Sequence, residues 1–376
     1  MVQINKERLI NRFIELVQID SETKHEASIA AYMKRELEKL NVIVEEDEAR
    51  TKTGHEANNI IGTLKGTGSH SRSIFFSSHM DTVTPGQNVK PQIKDGWITS
   101  DGTTILGADD KAGIAVIFEL IHVLIENDID HGDIQFIFTV GEESGLAGAK
   151  ALDRSLIDSE FGFVLDSDGP VGNIVVAAPY QTKFTAEIFG KSAHAGVAPE
   201  KGVSAITTAA KAIAKMTLGR IDEETTANIS YFQGGKKAQT NIVTDYVYIE
   251  GEARSIQKDK LDRLIDDIRK HFEMTATTFG AKAALTFTEM YPGFSINQEH
   301  EVVKIAQRAA KSLNLSSELL TSGGGSDANI FNSIGIPTVN LSVGYEHIHT
   351  TNERILIDDL VRLAELSVEI VKQSFR

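Results

Sequence analysis

The sequence predicts an α/β protein in which a mixed, mostly parallel sheet carries helices on both faces and a second, smaller domain is inserted into the first. Short β-rich runs alternate with segments of helical periodicity over the first 180 residues and again after residue 291. The runs are apolar on both faces, which is typical of strands buried in a largely parallel sheet. Between 181 and 291 the order of elements changes, which indicates a separate domain.

The outer parts of the chain supply the elements of the larger domain. Apolar positions repeat at helical spacing over 5–18 and 25–40, and "KAGIAVIFELIHVLIEN" is a third helix candidate. After the insertion come a helix, "EHEVVKIAQRAAKSLN", a strand, "PTVNLSVG", and a final amphipathic helix from about 355. The predicted strands of the first part are "NNIIGTL", "SIFFSSHM", "DIQFIFTVG" and "FGFVLDSD".

The inserted segment predicts a complete domain with the order βαββαβ, a ferredoxin-like split-βαβ unit. Its elements are "TKFTAEIFG", "GVSAITTAAKAIAKM", "ANISYFQGG", "NIVTDYVYIEGEARS", "KDKLDRLIDDIRKHFEMTATTFG" and "AALTFTEM". We therefore expect a first domain made of 1–180 and 292–376, interrupted by a second domain at 181–291. A cleft between two such domains is the usual place for a small ligand.

The composition disfavours some classes of partner and of metal site. Lys and Arg total 38 against 53 Asp and Glu, a formal charge of −15, which disfavours nucleic acid or an anionic membrane surface as partner. Cysteine is absent, so a metal site would need His, Asp and Glu. The charged start does not read as a signal peptide, and no 18-residue apolar stretch occurs, so we expect a cytoplasmic protein.

Acids and histidines follow the predicted strands where each strand ends. Taken singly, such residues are ordinary: an HxD in a loop, carboxylates capping a helix, an acidic turn. Together they gather metal-ligand side chains at one edge of the sheet, and they predict a metal site there. The candidates are His79, Asp81, Asp109, Asp110, Glu142, Glu143, Asp166, Asp168, His347 and His349.

An ordered series of motifs over nearly the whole chain resembles the two-zinc exopeptidases and amidohydrolases typified by peptidase T, carboxypeptidase G and acetylornithine deacetylase, most closely the peptidase T-like branch. The motifs are "SSHMDTV", "GADDKAG", "GEESGLAGA", "VLDSDGP", "GKSAHAGVAPEKGVSAI", "GGGSDANIFN" and "HTTNE". The resemblance implies a catalytic metal-binding domain in the outer segments and a lid or dimerisation domain in the insertion.

The resemblance also implies two Zn²⁺ ions per subunit, with Co²⁺ or Mn²⁺ as alternatives. One metal would be held by His79 and Asp166 and the other by Glu143 and His349, while Asp109 bridges both. A shared water would complete each coordination shell. Asp168 and His347 stay open as alternative ligands; Asp166 is preferred because it directly ends an apolar run, and His349 because Glu353 follows it at the family's spacing.

The adjacent carboxylates of "GEESG" are explained by a division of labour that the resemblance implies. Glu143 binds metal, and its neighbour Glu142 is the general base that takes a proton from the bridging water. Asp81 corresponds to a carboxylate that orients the ligand histidine, with a structural role in capping a turn as the alternative. The peptide bond between Asp109 and Asp110 is expected to be cis, as in the family.

Further matching positions imply substrate contacts. His194 in "GKSAHAG" would contact the scissile carbonyl from the partner subunit of a homodimer formed through the inserted domain. Asn241, Ser326 and Asp327 match positions that line the cleft.

Arg254 in "EGEARS" resembles the residue that binds a peptide's terminal carboxylate, a task suited to a guanidinium fork. The alternative is a strand arginine that pairs with Glu250 or Glu252.

The expected reaction is metal-dependent hydrolysis of short peptides that releases the N-terminal residue. An N-acyl-amino-acid amidohydrolase uses the same centre and is the nearest alternative. An inactive peptide-binding protein on the same fold is an alternative of another class.

Overall fold

A computed structural model of the chain describes residues 3–68 and 70–376. The chain divides into two compact units. Unit 1 contains the described residues up to Ala177, together with Ser295–Ser322 and Ser326–Arg376; unit 2 contains Ala178–Phe294 and Gly323–Gly325. Among the described residues, no helix is long and apolar enough to cross a membrane.

The described residues form ten α-helices, which match every helix predicted above and add three short ones, α3, α5 and α9. They are α1 (Lys6–Val17), α2 (Ala27–Lys39), α3 (Ala49–Thr53), α4 (Ala108–Glu126), α5 (Ala147–Ala151), α6 (Ala205–Ile213), α7 (Lys258–Phe279), α8 (Glu301–Ser312), α9 (Asp327–Ser333) and α10 (Ile357–Ser374).

The same residues form twenty strands, several of only two or three residues. They are β1 (Ile43–Glu46), β2 (Ile60–Leu64), β3 (Ile74–His79), β4 (Gln92–Lys94), β5 (Trp97–Thr99), β6 (Ile134–Thr139), β7 (Phe161–Ser167), β8 (Ile174–Ala178), β9 (Tyr180–Phe189), β10 (Ala193–His194), β11 (Gly219–Arg220), β12 (Thr225–Gly234), β13 (Ile242–Val243), β14 (Tyr246–Ser255), β15 (Lys282–Tyr291), β16 (Phe294–Ser295), β17 (Leu319–Thr321), β18 (Thr338–Ser342), β19 (Tyr345–Glu346) and β20 (Arg354–Leu356).

The main sheet of unit 1 is mixed, with a parallel centre. Its order is β1-β2-β6-β3-β7-β18-β8-β16, and β17 pairs with β8 outside this path. The four central strands β6, β3, β7 and β18 pair in parallel, whereas β1, β2 and β8 join antiparallel. Because parallel strands end at the same edge of a sheet, the segments after all four central strands meet there.

Both faces of this sheet are covered by helices. Phe75 and Phe76 are neighbours on β3 and therefore point to opposite faces. The Phe75 ring packs on Phe331 of α9, with ring centroids 4.7 Å apart. Phe76 belongs to the large apolar core that includes Phe118 of α4. Fully buried strands with apolar residues on both sides are the physical reason for this layered arrangement.

Unit 2 is built on an antiparallel sheet of order β11-β12-β14-β9-β15. The four long strands and helices α6 and α7 follow one another as β9-α6-β12-β14-α7-β15, which is the predicted βαββαβ order. Apolar side chains of β9 and β14 pack with those of α6 and α7 in a separate core. The predicted fold class is therefore confirmed in both units.

One predicted strand of unit 2 is divided. The run "NIVTDYVYIEGEARS" forms β13 and β14 as separate strands. The reason is that Ile242 and Val243 pair with His194 and Ala193 of β10, outside the five-stranded sheet.

Candidate metal centre

The residues after the central strands of unit 1 come together at the carboxyl edge of the sheet. His79 is the last residue of β3, and Asp166 lies next to the end of β7. Glu142 and Glu143 follow β6 by three and four residues, and His349 lies seven residues beyond β18. Three groups of His, Asp and Glu ligand atoms lie within 4.8 Å of one another, namely His79–Asp109–Asp166, His79–Glu142–Glu143 and Asp109–Glu143–His349.

Asp109 lies between two imidazoles. Its Oδ1 is 3.0 Å from His79 Nε2, and its Oδ2 is 3.1 Å from His349 Nε2. The expected cis peptide bond between Asp109 and Asp110 is present, at the start of α4. The two oxygens of one carboxylate therefore face two separate histidines.

Each histidine also faces a carboxylate of its own. His349 Nε2 lies 2.7 Å from Glu143 Oε1, and His79 Nε2 lies 3.7 Å from Asp166 Oδ1. The arrangement thus has one shared carboxylate and two sets of one histidine and one acid. Neutral imidazole nitrogen and carboxylate oxygen are ligands suited to zinc, cobalt or manganese, so the residues present fit two divalent cations.

The alternative ligands lie apart from these groups. Among the described residues, neither Asp168 nor His347 belongs to any of the three clusters. His347 and His349 are both exposed, with positive φ values of 57° and 61°, so membership of a cluster is what separates them. The geometry therefore favours Asp166 and His349.

Asp81 is buried, and its carboxylate holds the turn that carries the two glutamates. Its Oδ1 accepts a hydrogen bond from the Glu142 amide at 2.9 Å, and its Oδ2 accepts one from the Glu143 amide at 3.3 Å. Thr23 Oγ1 donates to the same Oδ2 at 2.8 Å. His79 Nδ1 lies closer to the Asp81 main-chain oxygen, 2.8 Å, than to its carboxylate, 3.5 Å. The histidine is thus oriented by the backbone of Asp81, and the side chain orients the turn.

Glu353 has a role that the sequence reasoning missed, since there it served only as a spacing marker. Its buried carboxylate accepts hydrogen bonds from the amides of Leu106 and Gly107, both at 2.8 Å, and from the amide of Asp109 at 3.0 Å. Amides at the start of a helix have no acceptor within that helix. This need for an acceptor is the only feature of the sequence that could have indicated such a contact. Glu353 therefore fixes the backbone that presents the Asp109 carboxylate between the two histidines.

Two residues near β18 hold Asp166 and were also missed. The hydroxyl of the buried Tyr345 donates to Asp166 Oδ1 at 3.2 Å. The side-chain amide of Asn340 donates to the Asp166 main-chain oxygen at 2.6 Å and accepts from its main-chain amide at 2.9 Å. Both contacts join segments over 170 residues apart, so no local pattern in the sequence marks them.

The crowded acids and histidines shift one another's ionisation. Burial raises the pKa of Asp166 to about 7, although hydrogen bonding to His79 opposes this. Hydrogen bonds to Asp109 and Glu143 raise the pKa of His349 to about 10. Burial would raise the pKa of Asp109, but the two histidines outweigh it and hold that pKa well below its usual range. Burial, followed by the negative charge of Asp166, raises the pKa of Glu142.

Ser326 and Asp327 lie in unit 1 at the start of α9. Ser326 caps the helix in a reciprocal arrangement with Asn329. Asp327 is 2 % exposed, and its Oδ2 is hydrogen-bonded to the Thr139 hydroxyl. The Asp327 carboxylate therefore lies inside unit 1 rather than on its surface.

His194 and Asn241 lie side by side in unit 2. His194 Nδ1 accepts hydrogen bonds from the amides of Gly196 at 3.2 Å and Val197 at 3.1 Å. A nitrogen that accepts cannot carry the ring proton, so the proton resides on Nε2. The Asn241 main-chain oxygen accepts from the Ala195 amide at 2.8 Å. His194 thus presents an N–H donor at the exposed end of β10.

Arg254 already has a carboxylate partner within unit 2. Its Nε and Nη2 donate to the two oxygens of Glu252 at 2.8 and 3.2 Å. Its Nη1 donates to the Gly323 main-chain oxygen at 3.2 Å and lies 3.4 Å from the Tyr291 hydroxyl. This is the pairing that the sequence left open as the alternative to a role in binding substrate.

Comparison with known proteins adds a family match. Residues 75–373 match the family described as Peptidase family M20/M25/M40. A Bacillus subtilis (strain 168) protein, YqjE, is 57 % identical over 371 residues, which cover 99 % of each chain.

Two solved structures are similar over almost their whole length. Aminopeptidase PepT from Bacillus cereus ATCC 10987 is 57 % identical with a TM-score of 0.95, and the match covers 99 % of this chain and 100 % of that one. A tripeptidase from Staphylococcus aureus subsp. aureus Mu50 is 51 % identical with a TM-score of 0.96, covering 98 % of each chain.

The protonated groups of the centre predict pH-dependent cation binding. Below about pH 7 a cation must displace the proton of Asp166, and it must displace the protons of the histidines at higher pH as well. The affinity for the cation should therefore rise about tenfold per pH unit for each proton released. Without a cation, the raised pKa of Asp166 means that its carboxyl stabilises the fold at low pH and that this stability is lost as pH rises through about 7. Zn²⁺ titration calorimetry in buffers of different ionisation enthalpy measures both affinity and proton release.

Between pH 6 and pH 8, the number of protons released on binding should fall by about one, because Asp166 has lost its proton by pH 8. The variant Asp166→Asn provides the control, since its proton release should not change in this way. An affinity that is flat between pH 6 and pH 8 would contradict the prediction.

Proposed function

We propose that the chain, which belongs to Peptidase family M20/M25/M40, hydrolyses peptide bonds in short peptides and releases the N-terminal residue. Membership of this family and the similarity to the PepT structure confirm the predicted peptidase T-like relationship and the predicted metallopeptidase class. The names aminopeptidase and tripeptidase of the two solved structures support an N-terminal cut in tripeptides.

The observation that carries the proposal is the position of Asp109 between His79 and His349. A carboxylate that faces two histidines on its two oxygens suits a bridging ligand. Asp166 and Glu143 supply one further acid on each side. We propose two Zn²⁺ ions in this centre, with Co²⁺ or Mn²⁺ as alternatives.

Bound metals would supply positive charge that polarises a water molecule and the scissile carbonyl. Glu142 would accept a proton from that water; it lies beside Glu143 in a turn that Asp81 holds by both amides, so its carboxylate is held at the centre. Burial favours the protonated form of Glu142, so it can then pass the proton to the departing amine. The two glutamates thus share one turn and perform two tasks.

Substrate contacts are proposed for residues of both units. The Nε2–H of His194 is suited to donate to the scissile carbonyl, and the guanidinium of Arg254 to hold a terminal carboxylate. Asn241, Ser326 and Asp327 are proposed around the substrate, the last as a buried support. We also propose a cytoplasmic location, which cell fractionation tests. From the net charge of −15 we propose that neither nucleic acid nor a membrane is a partner.

A panel of tripeptides, dipeptides and N-acetyl amino acids tests the reaction. The metal-loaded protein should release the N-terminal residue of tripeptides fastest. The variant Glu142→Gln should keep fold and metal while turnover falls by at least ~10²–10⁴-fold, because only the proton acceptor is lost. Product analysis by mass spectrometry and metal analysis of each variant provide the measurements.

The matched change Glu143→Gln separates the two glutamates. It should weaken metal binding, whereas Glu142→Gln should not. Preferential cleavage of N-acetyl amino acids would favour a deacylase, and peptide binding without turnover would favour an inactive peptide-binding protein. Near-normal turnover in Glu142→Gln would show that another group acts as base.

Arg254 is tested by pairs of peptides that differ only at the C-terminus. Arg254→Met should lower kcat/KM for free peptides roughly 10- to 100-fold more than for their C-terminal amides, because a contact between charges is worth about 1.5–3 kcal/mol. Arg269→Met makes the same substitution at an arginine of α7 and should change both substrates little. Equal losses on acid and amide would identify Arg254 as a structural partner of Glu252.

We propose a homodimer formed through unit 2, in which His194 acts at the partner subunit's active site. Of the twelve large apolar side chains that stay exposed among the described residues, nine belong to unit 2, including Val197, Ile242 and Met274. Such a concentration of apolar surface supports an interface there.

Mixing two inactive variants tests whether His194 acts across the dimer. After subunit exchange, Glu142→Gln mixed with His194→Ala should regain activity, because one site of each mixed dimer then has both residues intact. Light scattering and proof of exchange by mass-tagged subunits accompany the assay. A monomer, or no recovery after proven exchange, would place His194 in its own subunit's site.

A further inference from the structure

A buried histidine that has no part in the proposed mechanism touches the turn that carries Glu142 and Glu143. His55 follows α3 and is 4 % exposed. Its ring lies against the backbone of Gly141, where an added Cβ would be 2.2 Å from Nε2. Gly141 also has a φ of +59°, a conformation that favours glycine. The turn is therefore shaped to receive an imidazole on one side.

The hydrogen bonds around His55 fix how its ring is used. Thr53 Oγ1 donates its single hydrogen to the Ala49 main-chain oxygen at 2.7 Å. Its contact with His55 Nδ1, 2.9 Å away, must therefore be donated by the ring. In the neutral imidazole this leaves Nε2 as an acceptor, and Nε2 is the atom that faces the turn.

Ser144 connects the ring to the turn. Its hydroxyl donates its single hydrogen to the Gly141 main-chain oxygen at 3.0 Å, and its oxygen packs against His55 Nε2 at 3.4 Å. Glu26, a buried acid, also approaches the ring, with its Oε1 3.7 Å from the same Nε2. His55 Nε2 thus lies near both a carboxylate and the turn, while Nδ1 is hydrogen-bonded to Thr53 of α3.

We infer that His55 is a positioning residue for Glu142 and Glu143, an inference that rests on the proposed function of these two glutamates. Asp81 restrains the turn through the amides of both glutamates, and His55 supports it from Gly141 and Ser144. Removal of the imidazole leaves a void beside Gly141 into which the turn can relax. The base and a metal ligand then move together, because they are neighbours in one turn.

The variant His55→Ala tests this role by two measurements, with His131→Ala as control. His131 is another imidazole of unit 1, 2 % exposed, whose Nδ1 lies 2.7 Å from the Gly132 main-chain oxygen. In His55→Ala, the weaker-bound cation in a Co²⁺ titration should lose about 10- to 100-fold in affinity, and kcat at saturating metal should fall by a similar factor. KM should stay within about twofold. His131→Ala should lower thermal stability without either effect.

Two further results separate positioning from general support of the fold. Added imidazole should restore part of the kcat of His55→Ala, because it refills the void beside Gly141. If His55→Ala does not fold, His55→Gln fills most of the space and should show the same two losses to a smaller extent.

Unchanged Co²⁺ affinity and kcat in the folded His55 variants, or equal losses in His131→Ala, would overturn the inference. Wild-type protein that binds two cations but hydrolyses no peptide would instead refute the proposed function. The Co²⁺ titration would then still decide the role of His55.

Discussion

The rest of the centre depends on one carboxylate, that of Asp109, and on how its two oxygens are directed at two histidines. A single side chain can do this only if its backbone is fixed, and Glu353 fixes it through three amides at the start of α4. Glu353 is buried, which raises its pKa to about 7, while the three amides oppose that rise. A buried acid therefore shapes the centre through the backbone, without touching the side-chain atoms that form the clusters.

The two adjacent glutamates of "GEESG" can lie side by side because their main-chain amides and their side chains contact different partners. Both amides point to Asp81, so one carboxylate restrains both residues. The side chain of Glu143 then reaches His349, whereas Glu142 joins the cluster with His79. The raised pKa values of His79 and His349 favour their charged forms, which offset part of the repulsion among these acids.

The sequence predicted those parts of the molecule that depend on local patterns. Strand and helix positions follow from periodicity, and the meeting of His79, Glu143 and Asp166 follows from parallel strands that end at one edge. Contacts such as Glu353 to Asp109 or Tyr345 to Asp166 join residues more than 170 positions apart, and no periodicity encodes them. The same is true of His55, whose significance appears only when its ring is seen against Gly141.

Arg254 shows how the neighbours of a candidate binding residue change the energetics of its proposed role. The arginine lies on β14 as predicted, yet Glu252, two residues earlier on the same strand face, occupies its fork. The ion pair keeps the guanidinium ordered and leaves Nη1 near Gly323. If Arg254 holds a substrate carboxylate as proposed, that carboxylate gains only the difference between its attraction to the guanidinium and its repulsion by Glu252. In that proposed role, Glu252 as much as Arg254 sets how strongly a free C-terminus is preferred.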